Sequence, residues 1–352
     1  MQKYKFYSKS IIFSFFGLSF FIILFNYIVD PYQIYRKTSL YTFKIQDQRY
    51  LNAGLARNYP YDTLIVGSSM IENFYLHDIK NNTFKQPLKL SFQGGGIYEL
   101  NTLINLAIHS NKKLKNIIID FDMYAFNNQS KQNFISSYFP NYLYNSSYID
   151  DTYYLLNFKI LRKSFRSLKN KYNEQKIRKQ LDNLYSWQND YKDQFTIKNV
   201  LSSYKYHIKN DNKIENPKRF FNDLKINFNK TIYKTIKNNP NICFYIFYPP
   251  YSIYGYKAIE NLNKFDSFIK FKKYTFEKLL KYKNVKIYDF QTAEKIILNI
   301  KNYKDIYHYH ENINKWMLKQ IQNNNFLVTQ QNYHNYLKKF KSYKTKKLKL
   351  NY

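Results

Sequence analysis

An α/β fold built on a parallel sheet is predicted by three observations: short apolar runs recur along the chain, helical patterns separate them, and glycines cluster where two of the runs end. The runs are DTLIVG at 62–67, LKLSF at 88–92, NIIIDF at 116–121, ICFYIFY at 242–248 and NVKIYDF at 284–290. Each is short and rich in β-branched or aromatic residues, as expected of strands buried on both faces of a parallel sheet. Between the second and third runs, Leu100, Leu103, Ile104, Ala107 and Ile108 repeat at helical spacing and give one apolar face for packing on that sheet. The alternation reads as βαβ units around a sheet of about five strands.

Residues 11–29, IIFSFFGLSFFIILFNYIV, contain no charge. At 1.5 Å per residue they cross most of a hydrocarbon core about 30 Å thick. Lys3, Lys5 and Lys9 precede the run, and the positive-inside tendency then keeps residues 1–10 in the cytoplasm and sends the rest outward. A cleavable signal peptide is the competing reading, but no A-x-A-like pair of small residues follows the run. A transmembrane anchor at 11–29 is therefore expected. A buried core helix is disfavoured, because the segment is apolar on all sides and lies behind lysines at the extreme N-terminus.

Residues 123–240 interrupt the strand rhythm with sequence rich in Tyr, Asn and Lys. They are expected to form a mostly helical insertion, a cap or lid, with Pro217 opening its last helix at a first-turn position where the missing N–H costs nothing. Residues 337–352 carry seven lysines in sixteen positions and read as a disordered basic tail. The main domain is thus expected over 30–336.

Composition restricts the partners. The chain has 352 residues, 44% of them hydrophobic, with 39 Tyr and 30 Phe against only 7 Gly and 8 Pro, and a net charge of +32. Heavy use of residues with AT-rich codons accounts for part of that charge. The remainder favours anionic surfaces such as lipid headgroups. No basic helix, zinc-finger spacing or RNA-binding aromatic motif accompanies it, so nucleic acid is not an expected partner. Cys243 is the only cysteine and cannot form an intrachain disulfide.

Four of the seven glycines fall in IVGSSM (Gly67) and SFQGGGIYEL (Gly94, Gly95 and Gly96), each at the end of an expected strand. In open α/β sheets ligands bind beyond the carboxyl ends of the strands. Ser69 follows the first strand at the start of a helix-like stretch, where unpaired N–H groups and the helix dipole favour a developing oxyanion. Ser69 with Glu72 also fits a capping box, in which the serine only caps the helix. Near the C-terminus, KDIYHYHENINKWML places Asp305 three residues before His308. That spacing lets the carboxylate hold Nδ1 while Nε2 faces a nucleophile.

VGSSM, LSFQGGGIYE and DIYHY together resemble the first, second and last blocks of the SGNH/GDSL hydrolase superfamily. They are similar in particular to its membrane-anchored bacterial branch, which includes proteins of alginate O-acetylation and teichoic-acid D-alanylation. The juxtamembrane VDPY and the strand-end FYPPYS look like features of the same branch. The resemblance covers roughly residues 27–125 and 240–325 and leaves the insertion unexplained. It implies a flavodoxin-like parallel sheet flanked by helices, with Ser69, Asp305 and His308 as catalytic residues and Gly94 or Gly95 in the oxyanion hole. It implies no cofactor. The expected place is the bacterial cytoplasmic membrane, single-pass, with the main domain outside. The expected partners are that membrane and an acylated envelope glycan or other ester. A non-catalytic protein that binds a glycan or an envelope assembly partner is the alternative.

The sequence departs from the pattern at the third block, which usually supplies an oxyanion-hole asparagine. Here DMYAFNN places Asp122 and Tyr124 nearby and Asn127 a few residues late, so the hole is completed by Asn127 or rests on backbone N–H groups alone. Loss of one donor typically costs about 100- to 1000-fold in rate, and a weak or inactive enzyme is one expectation. His308, His310 and Asp305 lack the further ligands a metal site needs, and no metal is expected. His77, His109, His207 and His334 are scattered and show no partner. The G-x-S-x-G elbow of α/β-hydrolases is absent.

Overall fold

The structure is a computed structural model that describes residues 2–45, 47–127, 139–147 and 149–346. Six strands form one sheet: β1 (Thr63–Gly67), β2 (Pro87–Ser91), β3 (Asn116–Asp120), β4 (Cys243–Tyr248), β5 (Val285–Asp289) and β6 (Leu327–Val328). Their order is β2-β1-β3-β4-β5-β6. The first five are parallel, and each lies within one residue of the run expected for it. β6 pairs antiparallel with β5, Ile287 opposite Val328. Two residues are too few to show a strand pattern in sequence, and β6 was not expected.

Every residue of β1 and β3 is buried, because each has a strand on either side and helices cover the faces. The helix Ile97–Ser110 buries Ile97, Leu100, Leu103 and Ile104, the apolar face its spacing predicts. From β1 the chain first adds β2 on one side and then crosses to β3 on the other. This reversal of order opens a crevice beyond the carboxyl ends of β1 and β3.

The chain divides into two compact units. One comprises Met1–Pro60, Leu106–Lys112 and Tyr138–Leu181, and the other Tyr61–Asn105, Lys113–Ser137 and Asp182–Tyr352. The first unit holds the N-terminal helix, Gln2–Val29, whose apolar side chains stand outward; Phe13 is 81% exposed. The helix is long and apolar enough to cross a membrane, as a membrane anchor or a signal sequence would be. Its last turn is built into the unit: Asn26 donates to Leu155 O at 2.8 Å and accepts from Ser164 Oγ at 2.9 Å. Just beyond it, the Asp30 carboxylate accepts from Ile34 N at 2.9 Å, Tyr35 N at 2.8 Å and the Tyr154 hydroxyl at 3.0 Å.

The second unit holds the sheet. Between β3 and β4 the described residues form helices and helical turns and no strand. Pro217 opens the helix Pro217–Phe228, whose cap, Asn216, accepts from Arg219 N at 2.9 Å.

The lysine-rich segment differs from the disordered tail expected there. Its start lies in a helix, Tyr333–Ser342, that buries Leu337 and Phe340; residues 347–352 lie outside the described residues. Phe340 stacks on Phe265 at 5.1 Å between ring centroids, and Tyr343 stacks on Tyr256 at 5.6 Å. The lysines mark the solvated side of an amphipathic element, and their density obscures the aromatic pair three residues apart. Phe340→Ala is expected to cost about 3–5 kcal/mol, as for other buried aromatics cut to alanine. Thermal unfolding checks this; an unchanged midpoint would mean that the segment is a tail after all.

Candidate active site

β1 ends at Gly67, where a Cβ would lie 2.1 Å from Asp120 Oδ1, so the approach of the β3 carboxyl group excludes any side chain. Ser68 follows in extended conformation, and its hydroxyl accepts from Met70 N. Ser68, not Ser69, therefore caps the turn. Glu72 accepts instead from Ser91 Oγ at 3.1 Å, and no capping box forms. The stretch Ser69–Ile71 is a single 3-10 turn rather than the helix expected, so little macrodipole is available there. Lys89 fixes the far end of the turn by donating to the carbonyls of Glu72 and Phe74. Burial pulls this ammonium down to about 7, against the attraction of Glu72.

Ser69 Oγ, released from capping, lies 2.8 Å from His308 Nε2. His308 Nδ1 lies 2.8 Å from Asp305 Oδ2. The other oxygen of Asp305 accepts from the backbone N–H groups of Tyr307 and His308, each at 2.8 Å. Burial pushes the Asp305 carboxyl up, but His308, these hydrogen bonds and Lys304 outweigh it and hold it well below the usual carboxylate range. The loop that carries the dyad is pinned on both sides of the crevice. Tyr309 and Asn314 donate to Met70 O, each at 3.1 Å, and Ser252 Oγ donates to Ile306 O at 2.8 Å. Trp187, from the insertion, donates to Ser69 O at 3.2 Å and meets the His308 ring edge-on at 5.7 Å.

A second polar group lies at the end of β3. Ser68 Oγ is 2.8 Å from Asp120 Oδ2 and 3.3 Å from Asp122 Oδ2, although a hydroxyl has one proton to donate. Burial, reinforced by the charge of Asp122, pushes Asp120 up to about 8. A protonated Asp120 can donate to Ser68 Oγ while Ser68 donates to Asp122, which satisfies all three groups. The folded value lies above the ordinary 3.8, so the folded state binds the extra proton between about pH 4 and 8, and this contribution to stability is lost as pH rises through 8. Asp120→Asn is expected to flatten that slope. Melting midpoints measured from pH 5 to 9 check it, and an equal slope in the variant would refute the assignment.

Ser69 and His308 line a cleft of about 210 Å³ together with Met70, Asp122, Tyr124, His207, Asp211, Tyr251 and Tyr307. A larger hollow of about 370 Å³, beside Phe84 and Tyr245, has no serine, histidine or carboxylate in its lining. Of the residues singled out from sequence, Ser69, His308 and Asp305 come together in one hydrogen-bonded line. Gly94, Gly95 and Asn127 do not line the cleft. Gly94 is exposed in a left-handed turn with φ +62°, and the Gly95 N–H is committed to Phe92 O at 2.8 Å. Asn127 closes the 3-10 turn Met123–Phe126, and its Oδ1 is buried without a partner among the described residues. Asp122 opens that turn, accepting from Tyr124 N at 2.9 Å and from the Tyr251 hydroxyl, so Asp122 and Tyr124 occupy the place sought for the asparagine.

His77 and His207 do have carboxylate partners, Asp182 at 2.8 Å and Asp211 at 2.9 Å. The four-residue spacing of His207 and Asp211 within a helical pattern was the available signal for the second pair. Trp187 gave none. No group of three or more His, Cys, Asp or Glu among the described residues is arranged to hold a metal ion.

The fold and site define an α/β protein with a mostly parallel six-strand sheet and a Ser–His–Asp line beyond the carboxyl ends of β1 and β3. No family model matches the chain, and no curated protein or solved structure matches it.

Proposed function

We propose that the chain is a membrane-anchored serine esterase or O-acyltransferase of SGNH type that acts on acyl groups of cell-envelope glycans. The hydrogen-bonded line from Ser69 through His308 to Asp305, 2.8 Å at each step, carries this reading. In the reaction, His308 Nε2 takes the Ser69 proton as Oγ attacks the ester carbonyl, and Asp305 holds Nδ1 and stabilises the imidazolium. The Ser69 N–H, uncommitted among the described residues, is one donor for the oxyanion. The hydroxyls of Tyr124 and Tyr307 share one hydrogen bond of 2.8 Å, so one of their two protons remains to be donated.

The hydrogen-bonded last turn of the N-terminal helix supports an anchor over a signal sequence, because cleavage there would strip Asn26 from its partners. With Lys3, Lys5 and Lys9 ahead of its uncharged run 11–29, the helix leaves its N-terminus in the cytoplasm and the sheet unit outside, on the side where acylated envelope glycans are found.

Asp122 favours a second reading. An ionised carboxylate beside a developing oxyanion raises its energy, and a site of this kind suits binding of a glycan or an assembly partner without turnover. Treating the full chain in detergent with a fluorophosphonate and mapping the modified peptide separates the two. Modification at Ser69 is expected; an unmodified Ser69 in folded protein would leave the binding reading.

A further inference from the structure

We propose that His207, held by Asp211, binds a hydroxyl adjacent to the one that receives the acyl group from Ser69, and so favours a polyhydroxyl acceptor over water. The inference rests on the acyl-transfer reading above and names its acceptor class.

His207 lies in the last turn of the helix Ile197–Asn210, and Asp211 caps that helix. Their contact, Nδ1 to Oδ2 at 2.9 Å, repeats the 2.8 Å contact of His308 with Asp305. The two histidine side chains are equally accessible, 26% exposed each, and both line the cleft that holds Ser69. With Nδ1–H given to a carboxylate, a neutral imidazole keeps Nε2 as an acceptor, and no described residue uses the Nε2 of His207. The reaction through Ser69 requires only one such dyad, so the second is unassigned.

The position of His207 is fixed relative to the reacting groups. One turn earlier, Ser203 Oγ accepts from Ile306 N at 3.4 Å, inside the loop that carries Asp305 and His308. Tyr204 packs on Tyr254 at 5.4 Å. The His207 ring stands edge-on to Tyr307 at 5.2 Å, and Tyr307 neighbours His308 in the chain. The remaining lining adds the Asp122 carboxylate and three phenols. An attacking water commits one of its two protons to His308 and has one left to donate, whereas a molecule with adjacent hydroxyls can donate to His207 and Asp122 together.

The test uses the full chain in detergent, with p-nitrophenyl acetate as acyl donor and glycerol as acceptor. Its readout is the ratio of glycerol acetate to acetate formed. With the acetate released in protein-free controls subtracted, that ratio compares two fates of one acyl-enzyme, so it depends neither on how fast the acyl-enzyme forms nor on how much protein is folded. His207→Ala is expected to lower the ratio about tenfold, the factor for one lost hydrogen bond of ordinary strength. Asp211→Asn should lower it less, and His207→Gln, which keeps an acceptor atom, should restore part of it. A ratio unchanged in His207→Ala, or wild-type protein that hydrolyses the donor and acylates no glycerol, would overturn the inference while leaving the serine reading intact. Wild-type protein that is not acylated at Ser69 would overturn both.

Discussion

Substitution of Ser69 by alanine, asparagine or aspartate is expected to abolish fluorophosphonate labelling and ester cleavage, a loss on the order of 10⁶-fold where a triad acts as a unit, with little change in stability. The separation of the two effects follows from the division of labour between neighbouring serines. The Ser69 hydroxyl is bonded to His308, whereas Ser68 caps the turn and binds Asp120. Ser69→Ala should therefore shift the unfolding free energy by less than about 1 kcal/mol, and Ser68→Ala should cost about 1–3 kcal/mol through the lost cap and the exposed demand of Asp120. His308→Ala should match Ser69→Ala in activity, since losses within a triad do not add, and Asp305→Ala should be milder. His310 packs against Phe195 and caps the following helix, so His310→Ala should act on stability alone. Full ester cleavage by a folded Ser69→Asn variant would end the proposed mechanism.

The next largest effect is expected at Lys272, in the helix Phe265–Leu279. Its ammonium lies 2.7 Å from Asp289 Oδ1 at the end of β5 and 2.9 Å from Gln291 Oε1, with both charged side chains fully buried. Burial pulls Lys272 down to about 8 and pushes Asp289 up, while their mutual attraction opposes both shifts. The Phe340 ring closes the site from the C-terminal helix, 4.2 Å from the ammonium. Lys272→Met should destabilise the protein by about 3–5 kcal/mol, because it leaves a buried carboxylate without its counter-charge. Replacing both partners, Lys272→Met with Asp289→Leu, should recover most of that loss, since two apolar groups require no compensation. Denaturant titration of the three variants measures it. A single variant as stable as wild type would mean that water or another cation reaches Asp289.

The sheet was legible in the sequence because strands buried on both faces must be apolar at nearly every position, and runs such as NIIIDF and ICFYIFY have the length and the β-branched or aromatic content of such strands. The N-terminal helix was legible for a similar reason: nothing but an apolar surrounding accommodates residues 11–29. Ser69, His308 and Asp305 could be proposed because a local rule holds each of them, a glycine-serine turn at a strand end and a three-residue Asp-to-His spacing. What joins them, the 2.8 Å contact across 239 positions, follows from the reversal of strand order at β1, and only the folded chain supplies it. The same holds for capping. Sequence offered Ser69 and Glu72 as a box, but the β3 carboxyl group and Ser91 drew Ser68 and Glu72 elsewhere.

Pattern alone misplaced the groups whose role depends on neighbours far along the chain. Asn127 was sought as an oxyanion donor because of its residue type, but a 3-10 turn begun by Asp122 carries it out of the cleft. The lysine-rich C-terminal segment was assigned to solvent by its charge, although Phe340 and Tyr343 fill the core beside Lys272. The sequence by itself therefore determined the elements whose burial is uniform, the parallel strands and the apolar helix, together with the residue types at the strand ends. The tertiary structure alone decided which polar groups meet, because a hydrogen bond depends on distances of a few tenths of an ångström between residues that spacing along the chain does not relate.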